Sequence, residues 1–251
     1  MSHHILSVRN LEYCYPDGNR ALRGVSFTLH HGEAAAIIGA NGAGKSTLLA
    51  HLNGSLWPAS GSVHIGDDPV LPSTLARIRR TVGMVFQDAD DQLFMPTVYE
   101  DVAFGPAHFG LPADELGKRV QTALSVVGAA HLRDRSSWHL SAGEKRAVSI
   151  ASVLAMSPDI LIMDEPSAAL DPFGRRQCIE LIRSFSHTRI IATHDLDLVL
   201  ETCPRAIILH EGQIVADGPS SEVLRDRQLL ERCRLEIPLR LQACPLCSCS
   251  I

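Results

Sequence analysis

Aromatic side chains are scarce in this chain of 251 residues, at 5% of positions against 45% hydrophobic overall. A core drawn from such a composition is aliphatic, as in a buried parallel sheet. Long apolar runs are missing too. No uncharged stretch approaches the roughly 20 residues that cross a bilayer, and the opening MSHHILSV lacks the basic and apolar regions of a signal peptide. Any membrane role is therefore expected to be peripheral, through a partner. Clusters of Lys and Arg are absent, and the net charge is −5, so nucleic acid is excluded as a partner. The length suits one large domain, or one domain with a small appendage.

Cysteines are unevenly placed. Cys14, Cys178 and Cys203 stand alone and read as small core or surface thiols. Cys233, Cys244, Cys247 and Cys249 crowd the end of the chain, the last three as C-x-x-C-x-C. With no export signal a disulfide framework is not expected. Pro245, Ser248 and Ser250 make the segment read as a frayed tail rather than a metal site. The histidines at 3–4 and 30–31 are assigned to the surface, because adjacent strand residues face opposite ways.

What is present begins with strands. Ile5–Tyr13 and Val25–Thr28 alternate loosely around the turn PDGN at 16–19, and Ala34–Ile38 is a short apolar run of the buried kind. GANGAGKS (39–46) follows that run and leads into a helical stretch, Thr47–Leu52. This is G-x-x-x-x-G-K-S between a strand and a helix, the context a phosphate-binding loop requires. Gly39, Gly42 and Gly44 permit the wrapped backbone, Lys45 neutralises β/γ-phosphate charge, and Ser46 can ligate Mg²⁺.

Residues 73–150 read mostly as helices over Thr74–Arg80, Tyr99–Phe104, Ala113–Val127 and Gly143–Met156, with a short strand, Val82–Phe86, ending at Gln87. Gln87 alone fits a surface amide as well as a ligand. LSAGEKR (140–146) places Ser141 and Glu144 as a capping box at a helix start. Ala142 and Gly143 between them leave the backbone N–H groups of that turn bare, which makes a second anion site. ILIMDEP (160–166) is another buried strand with Asp164 and Glu165 at its carboxyl end, where open α/β sheets place their ligands. One acid there can hold a metal or its water, and the next can polarise an attacking water. SAALDP (167–172) reads as a tight connection, and Arg189–Thr193 as a strand delivering His194, which fits a helix-start residue equally well. Ala206–Leu209 and Gln213–Ala216 read as a closing hairpin, and Ser221–Cys233 as a helix.

Tyr15, GANGAGKS, Gln87, LSAGEKR, ILIMDEP, SAALD and His194, in that order and approximate spacing, resemble an ATP-binding-cassette (ABC) ATPase over about residues 3–220. The stretch VGMVFQDADDQLFMPTVYEDVAFGP (82–106) is most similar to ATPase subunits of energy-coupling-factor importers of the cobalt and nickel type, and LLERCRLEIPL (229–239) fits too. The resemblance implies an α/β fold: a P-loop NTPase (RecA-like) core with an N-terminal antiparallel β subdomain and a helical signature subdomain. It implies a nucleotide-binding domain over 1–220, with the helical part roughly at 88–155, and a C-terminal helix with a Cys-rich tail over 221–251.

The same resemblance implies the site. ATP would lie on Gly39, Ala40, Asn41, Gly42, Ala43, Gly44, Lys45, Ser46 and Thr47, with Tyr15 stacked on adenine unless it is a plain edge-strand aromatic. Mg²⁺ would be held by Ser46, Gln87 and, through water, Asp164. Glu165 would be the base, and His194 would contact the γ-phosphate. Asp171 would organise the subunit interface. Two subunits would pair head to tail, so that Ser141 and Gly143 touch the partner's nucleotide. Two departures stand out. Ala142 replaces the usual first glycine of the signature, tolerable at negative φ but with a methyl group that would crowd the phosphate and weaken the signature or favour a different partner subunit, and Ala169 replaces a glycine before Leu170, the milder change.

The function implied is the ATP-hydrolysing motor of an importer for cobalt or nickel ions. It would sit on the cytoplasmic face of the membrane, as a homodimer ahead of a heterodimer of ATPase subunits, with a transmembrane coupling protein and a substrate-binding component. A soluble ABC ATPase serving iron–sulfur assembly is the alternative, on the strength of the Cys-rich tail. A subunit without turnover is a third class, and an intact Glu165 argues against it.

Overall fold

The computed structural model describes residues 6–242. The chain divides into two compact units, one formed by the chain up to Arg79 and from His187 onward, the other by Arg80–Ser186. In the first unit, β1 (Leu6–Cys14) pairs antiparallel with β2 (Arg20–Leu29) across the turn anticipated at 16–19. Leu6, Val8 and Leu11 face inward from one strand and Val25, Phe27 and Leu29 from the other. The alternation slips between Val8 and Leu11, where Asn10 takes φ 47°. β3 (Ala34–Ile38) is buried at all five positions and runs through the glycine-rich loop into α1 (Lys45–Leu52). β4 (Ser60–Ile65) and the short β5 (Asp68–Pro69), neither evident in the sequence, complete a sheet of order β2-β1-β4-β5. The helix α2 (Leu75–Thr81) follows.

The second unit opens with β6 (Val82–Val85). Three helices come next, α3 (Val98–His108), α4 (Ala113–Val126) and α5 (Ala142–Leu154). Their inner faces close an aliphatic cluster that includes Val98, Val102, Val120, Leu124, Leu132 and Val148. α4 shows why: Val120, Ala123 and Leu124 recur at i, i+3 and i+4 and are its buried positions. α3 starts from a Thr97–Glu100 capping box and runs on past Phe104 through Pro106 to His108. At Gly105 the helix packs closely on Met156, since a β-carbon there would lie 2.3 Å from the Met156 sulfur. β7 (Ile160–Asp164) pairs parallel with β6, Val82 opposite Ile160 and Val85 opposite Met163. α6 (Pro172–Ser184) closes the unit. Its start, Asp171 as N-cap and Pro172 in the first turn, is a helix signal that the tight-connection reading of SAALDP passed over.

Back in the first unit, β8 (Thr188–Thr193), α7 (Leu196–Thr202), β9 (Arg205–His210) and β10 (Gln213–Pro219) follow. β8 and β9 flank β3 in parallel and β10 adds antiparallel to β9, giving the order β10-β9-β3-β8. Arg205 ties this sheet together by pairing with Glu33 and Asp217, both at 2.7 Å. The single helix expected over Ser221–Cys233 is instead two, α8 (Ser220–Val223) and α9 (Arg227–Arg232). Asp226 breaks it by accepting a hydrogen bond from the Leu229 N–H and capping the second helix. The core is aliphatic, as the composition requires. Cys178 and Cys203 lie within it, and burial pushes both thiols up to about 11, which leaves them unreactive near neutral pH. Cys14, His30 and His31 are exposed. His3, His4, Cys244, Cys247 and Cys249 lie outside the described residues.

Candidate nucleotide site

The parallel strands of the first unit place the phosphate loop. Ile38 at the end of β3 is opposite Thr193 of β8 and Ile208 of β9. Gly39 and His194, each one residue further on, therefore leave the same carboxyl edge, and His194 is exposed there. Two glycines in the loop are dictated by space. A β-carbon on Gly39 would lie 2.3 Å from the Leu209 carbonyl oxygen, and one on Gly44 would lie 2.6 Å from that of Ala21, at φ 104°. The Ala43 N–H donates to the Ala40 carbonyl at 3.1 Å, and the Ala43 carbonyl accepts from Gly212 at 3.1 Å, so the loop is braced from both sides. Lys45 is only 7% exposed and donates to the Gly39 carbonyl at 2.8 Å. Thr47 is buried on α1, and its Oγ1 lies 3.0 Å from the hydroxyl of half-buried Tyr15. Ser46 precedes it in the first turn of α1.

The second unit carries the remaining candidates, again by strand register. Because Val85 is opposite Met163, Gln87 and the pair Asp164–Glu165 leave one edge of the β6–β7 pair. Asp164 and Glu165 are 3% and 5% exposed. Glu165 takes φ 46°, a conformation that costs a non-glycine residue about 1–3 kcal/mol and is typical of functional sites. Gln87 is exposed, and its backbone is held: Arg146 of α5 donates to the carbonyls of both Phe86 and Gln87. Sequence reading missed Arg146. Its signal was there, since it shares the buried face of α5 with Ile150 and Val153 at i+4 and i+7, an odd place for a cation. Burial depresses its pKa, and the two carbonyls explain its retention.

The capping box at Ser141 forms as its spacing predicts. The Ser141 hydroxyl accepts from the Glu144 N–H at 3.3 Å, and the Glu144 carboxylate accepts from the Ser141 N–H at 2.8 Å. The Ser141 N–H, and after it the Ser141 hydroxyl donating to the same carboxylate at 2.8 Å, hold the Glu144 carboxyl below its usual pKa. Ala142 and Gly143 of the same turn are exposed. Asp171 caps α6, its carboxylate accepting from Gly174 at 2.7 Å.

Comparison with known proteins agrees with this set of elements. The family model described as ABC transporter matches residues 22–168. The chain belongs to the ABC transporter ATP-binding family. A putative ABC transporter ATP-binding protein of Geobacter sulfurreducens is 60% identical over 247 residues, 98% of this chain and 99% of that protein. The energy-coupling factor transporter ATP-binding protein EcfA of Methanothermobacter thermautotrophicus is 45% identical, over 93% of this chain and 77% of its own. Among solved structures, CbiO1 of Clostridium perfringens, part of the ABC transporter complex CbiONQ, superposes with a TM-score of 0.80 at 41% identity, covering 92% of this chain and 94% of that one. The fold is that of the ABC ATPases, a P-loop NTPase with an antiparallel β subdomain and a helical part, and the chain is an ATP-binding ATPase.

Within this ABC ATPase the two alanine departures fare differently. Ala142 opens α5 and is absent from the residues at positive φ, so its methyl group is tolerated there. Ala169 sits at φ 59°, in the left-handed region where glycine is favoured. The change that looked milder in the sequence is the strained one.

Proposed function

We propose that the chain is the ATPase motor of an energy-coupling-factor-type importer. It works as a pair of ATPase subunits, peripheral to the membrane and coupled to integral membrane components, with cobalt or nickel ions as cargo. The observation that carries this reading is the near full-length likeness to EcfA and CbiO1, together with the 82–106 segment that resembles importers of the cobalt and nickel type. The site chemistry supports the motor role. Backbone N–H groups of residues 39–47 and the Lys45 ammonium suit a triphosphate, and the carbonyls of Leu209 and Ala21 leave room only for glycine at 39 and 44, which holds the loop in its wrapped path. Ser46, Gln87 and Asp164 offer hard oxygen donors that fit Mg²⁺, which when bound neutralises charge on the phosphates. Tyr15 takes the adenine, Glu165 accepts the proton of the attacking water, and His194 contacts the γ-phosphate. Ser141 and Gly143, on the exposed turn of α5, serve the nucleotide of the second subunit, and Asp171 lies at that interface. No helix among the described residues is long and apolar enough to cross a membrane, which is consistent with peripheral attachment.

The test is purification of the tagged chain from its own cells in mild detergent. An integral membrane protein should co-purify, and vesicles holding the complex should take up labelled cobalt or nickel only with hydrolysable ATP. Recovery with soluble scaffold proteins instead would point to iron–sulfur assembly and end the importer reading.

A further inference from the structure

Behind Tyr15 stands a second aromatic. Tyr13, near the end of β1, meets the Tyr15 ring edge-on at 4.9 Å and 87°. Tyr13 in turn meets the imidazole of His51 at 4.8 Å and 73°. His51, in the last turn of α1, is 1% exposed, and its Nδ1 lies 2.7 Å from the Thr47 carbonyl. A carbonyl only accepts, so Nδ1 carries the proton and the ring plane is set. Thr47 closes the circuit through its Oγ1, 3.0 Å from the Tyr15 hydroxyl.

Tyr15, Tyr13, His51 and Thr47 thus form a closed ring of four contacts. It joins the end of β1 to the helix that carries Ser46. Tyr15 itself sits in a turn, with its N–H bonded to Asn19 and its carbonyl to Gly18. A lone aromatic in such a turn would lose its freedom when a base stacks on it, and that loss would weaken binding. Here two side-chain contacts hold the ring beforehand.

We propose that Tyr13 and His51 are positioning residues for the nucleotide base, fixing Tyr15 at a set place relative to the phosphate loop before ATP arrives. The inference rests on the reading of Tyr15 as the base platform. It assigns Tyr13 and His51 no contact with the nucleotide. Their effect reaches ATP only through Tyr15.

Calorimetric titration of the full chain with Mg-ATP and with Mg-tripolyphosphate, which has the phosphates and no base, separates the two halves of the site. Tyr13→Leu and His51→Leu should each weaken ATP roughly 3- to 10-fold, the size of an aromatic edge contact, with tripolyphosphate changed less than about twofold. Tyr15→Ala should weaken ATP further, again sparing tripolyphosphate. His51→Leu is close to histidine in volume and removes the ring on the far side of Tyr13, so it tests the idea even if Tyr13→Leu fails to fold. Equal losses for both ligands in the Tyr13 and His51 variants would mean a general slackening of α1 and overturn the proposal. Unchanged ATP affinity in those variants, with Tyr15→Ala impaired, would overturn it and leave the Tyr15 reading standing. Unchanged ATP affinity in Tyr15→Ala would remove both.

Discussion

The phosphate loop and the signature turn both lead into a helix, yet they are built on opposite terms. At Gly39 and Gly44 the fold leaves no room around the loop, while Gly42 between them is open. A β-carbon on Gly39 would sit 2.3 Å from a carbonyl oxygen, and Lys45, Thr47 and His51 are buried beside it. At the signature turn space is plentiful. A β-carbon on Gly143 would have its nearest neighbour, Leu170, at 4.0 Å, and Ala142 already carries a methyl group. Glycine in the first place is required by the chain's own packing. In the second, no neighbour among the described residues requires it, which suits the role proposed for Gly143 toward a second subunit's nucleotide.

The largest effect is expected at the catalytic end of the second unit. Glu165→Gln keeps shape and reach but cannot take the proton from water, so ATP hydrolysis should fall roughly 10²–10⁴-fold. ATP binding should survive through the phosphate loop, and an ATP-loaded pair of subunits should accumulate in size-exclusion runs. Turnover within about threefold of the parent would remove Glu165 from the base role and shift attention to His194.

The two glycines offer the most direct way to break the comparison. Gly39→Ala should cost about 1–3 kcal/mol of stability by overpacking, seen in denaturant unfolding. Gly143→Ala should leave stability unchanged or raise it by about 0.5–1 kcal/mol, since alanine is the better helix former. The same variant should hydrolyse ATP more slowly, because its methyl group would crowd the partner's phosphate. Loss of stability in Gly143→Ala would mean that its glycine serves the fold after all.

Ala169→Gly sharpens the contrast on the strained side. At φ 59° glycine relieves the methyl group, and stability should rise by up to about 1 kcal/mol against a small entropic cost in the unfolded chain. The smallest effect is a pH dependence in the first unit. Burial lowers the pKa of His51, so the unfolded chain takes up its proton first as pH falls through about 6.5. The His51 share of stability is present above that pH and shrinks below it. Melting temperatures at pH 7.5 and 5.5 should therefore differ less in His51→Phe than in the parent.

Much of the site was legible because its signals are local. GANGAGKS between a strand and a helix, ILIMDEP ending a buried strand, and the S-x-x-E box each depend on neighbours a few residues away, and each forms as read. Ala34–Ile38 matches to the residue, because five apolar positions in a row admit no other surface. Local chemistry also misled. Ser221–Cys233 reads as continuous helix, and the Asp226 side chain divides it. SAALDP reads as a turn, and Asp171 with Pro172 starts a helix of 13 residues there.

What the sequence determined by itself is the kind of protein and the identity of its phosphate-binding loop, since a triphosphate site built from backbone N–H groups needs a particular order of glycines and one lysine. Tertiary structure decided the rest. Only the register of β3 with β8, and of β6 with β7, aligns Gly39 with His194 and Gln87 with Asp164 at strand ends far apart in the chain. Only packing shows that Arg146 grips the Gln87 backbone, that Ala169 and not Ala142 is the strained alanine, and that His51 meets Tyr13 edge-on. These depend on distances between residues up to 155 positions apart, as with Gly39 and His194. Periodicity along a chain carries no record of such distances.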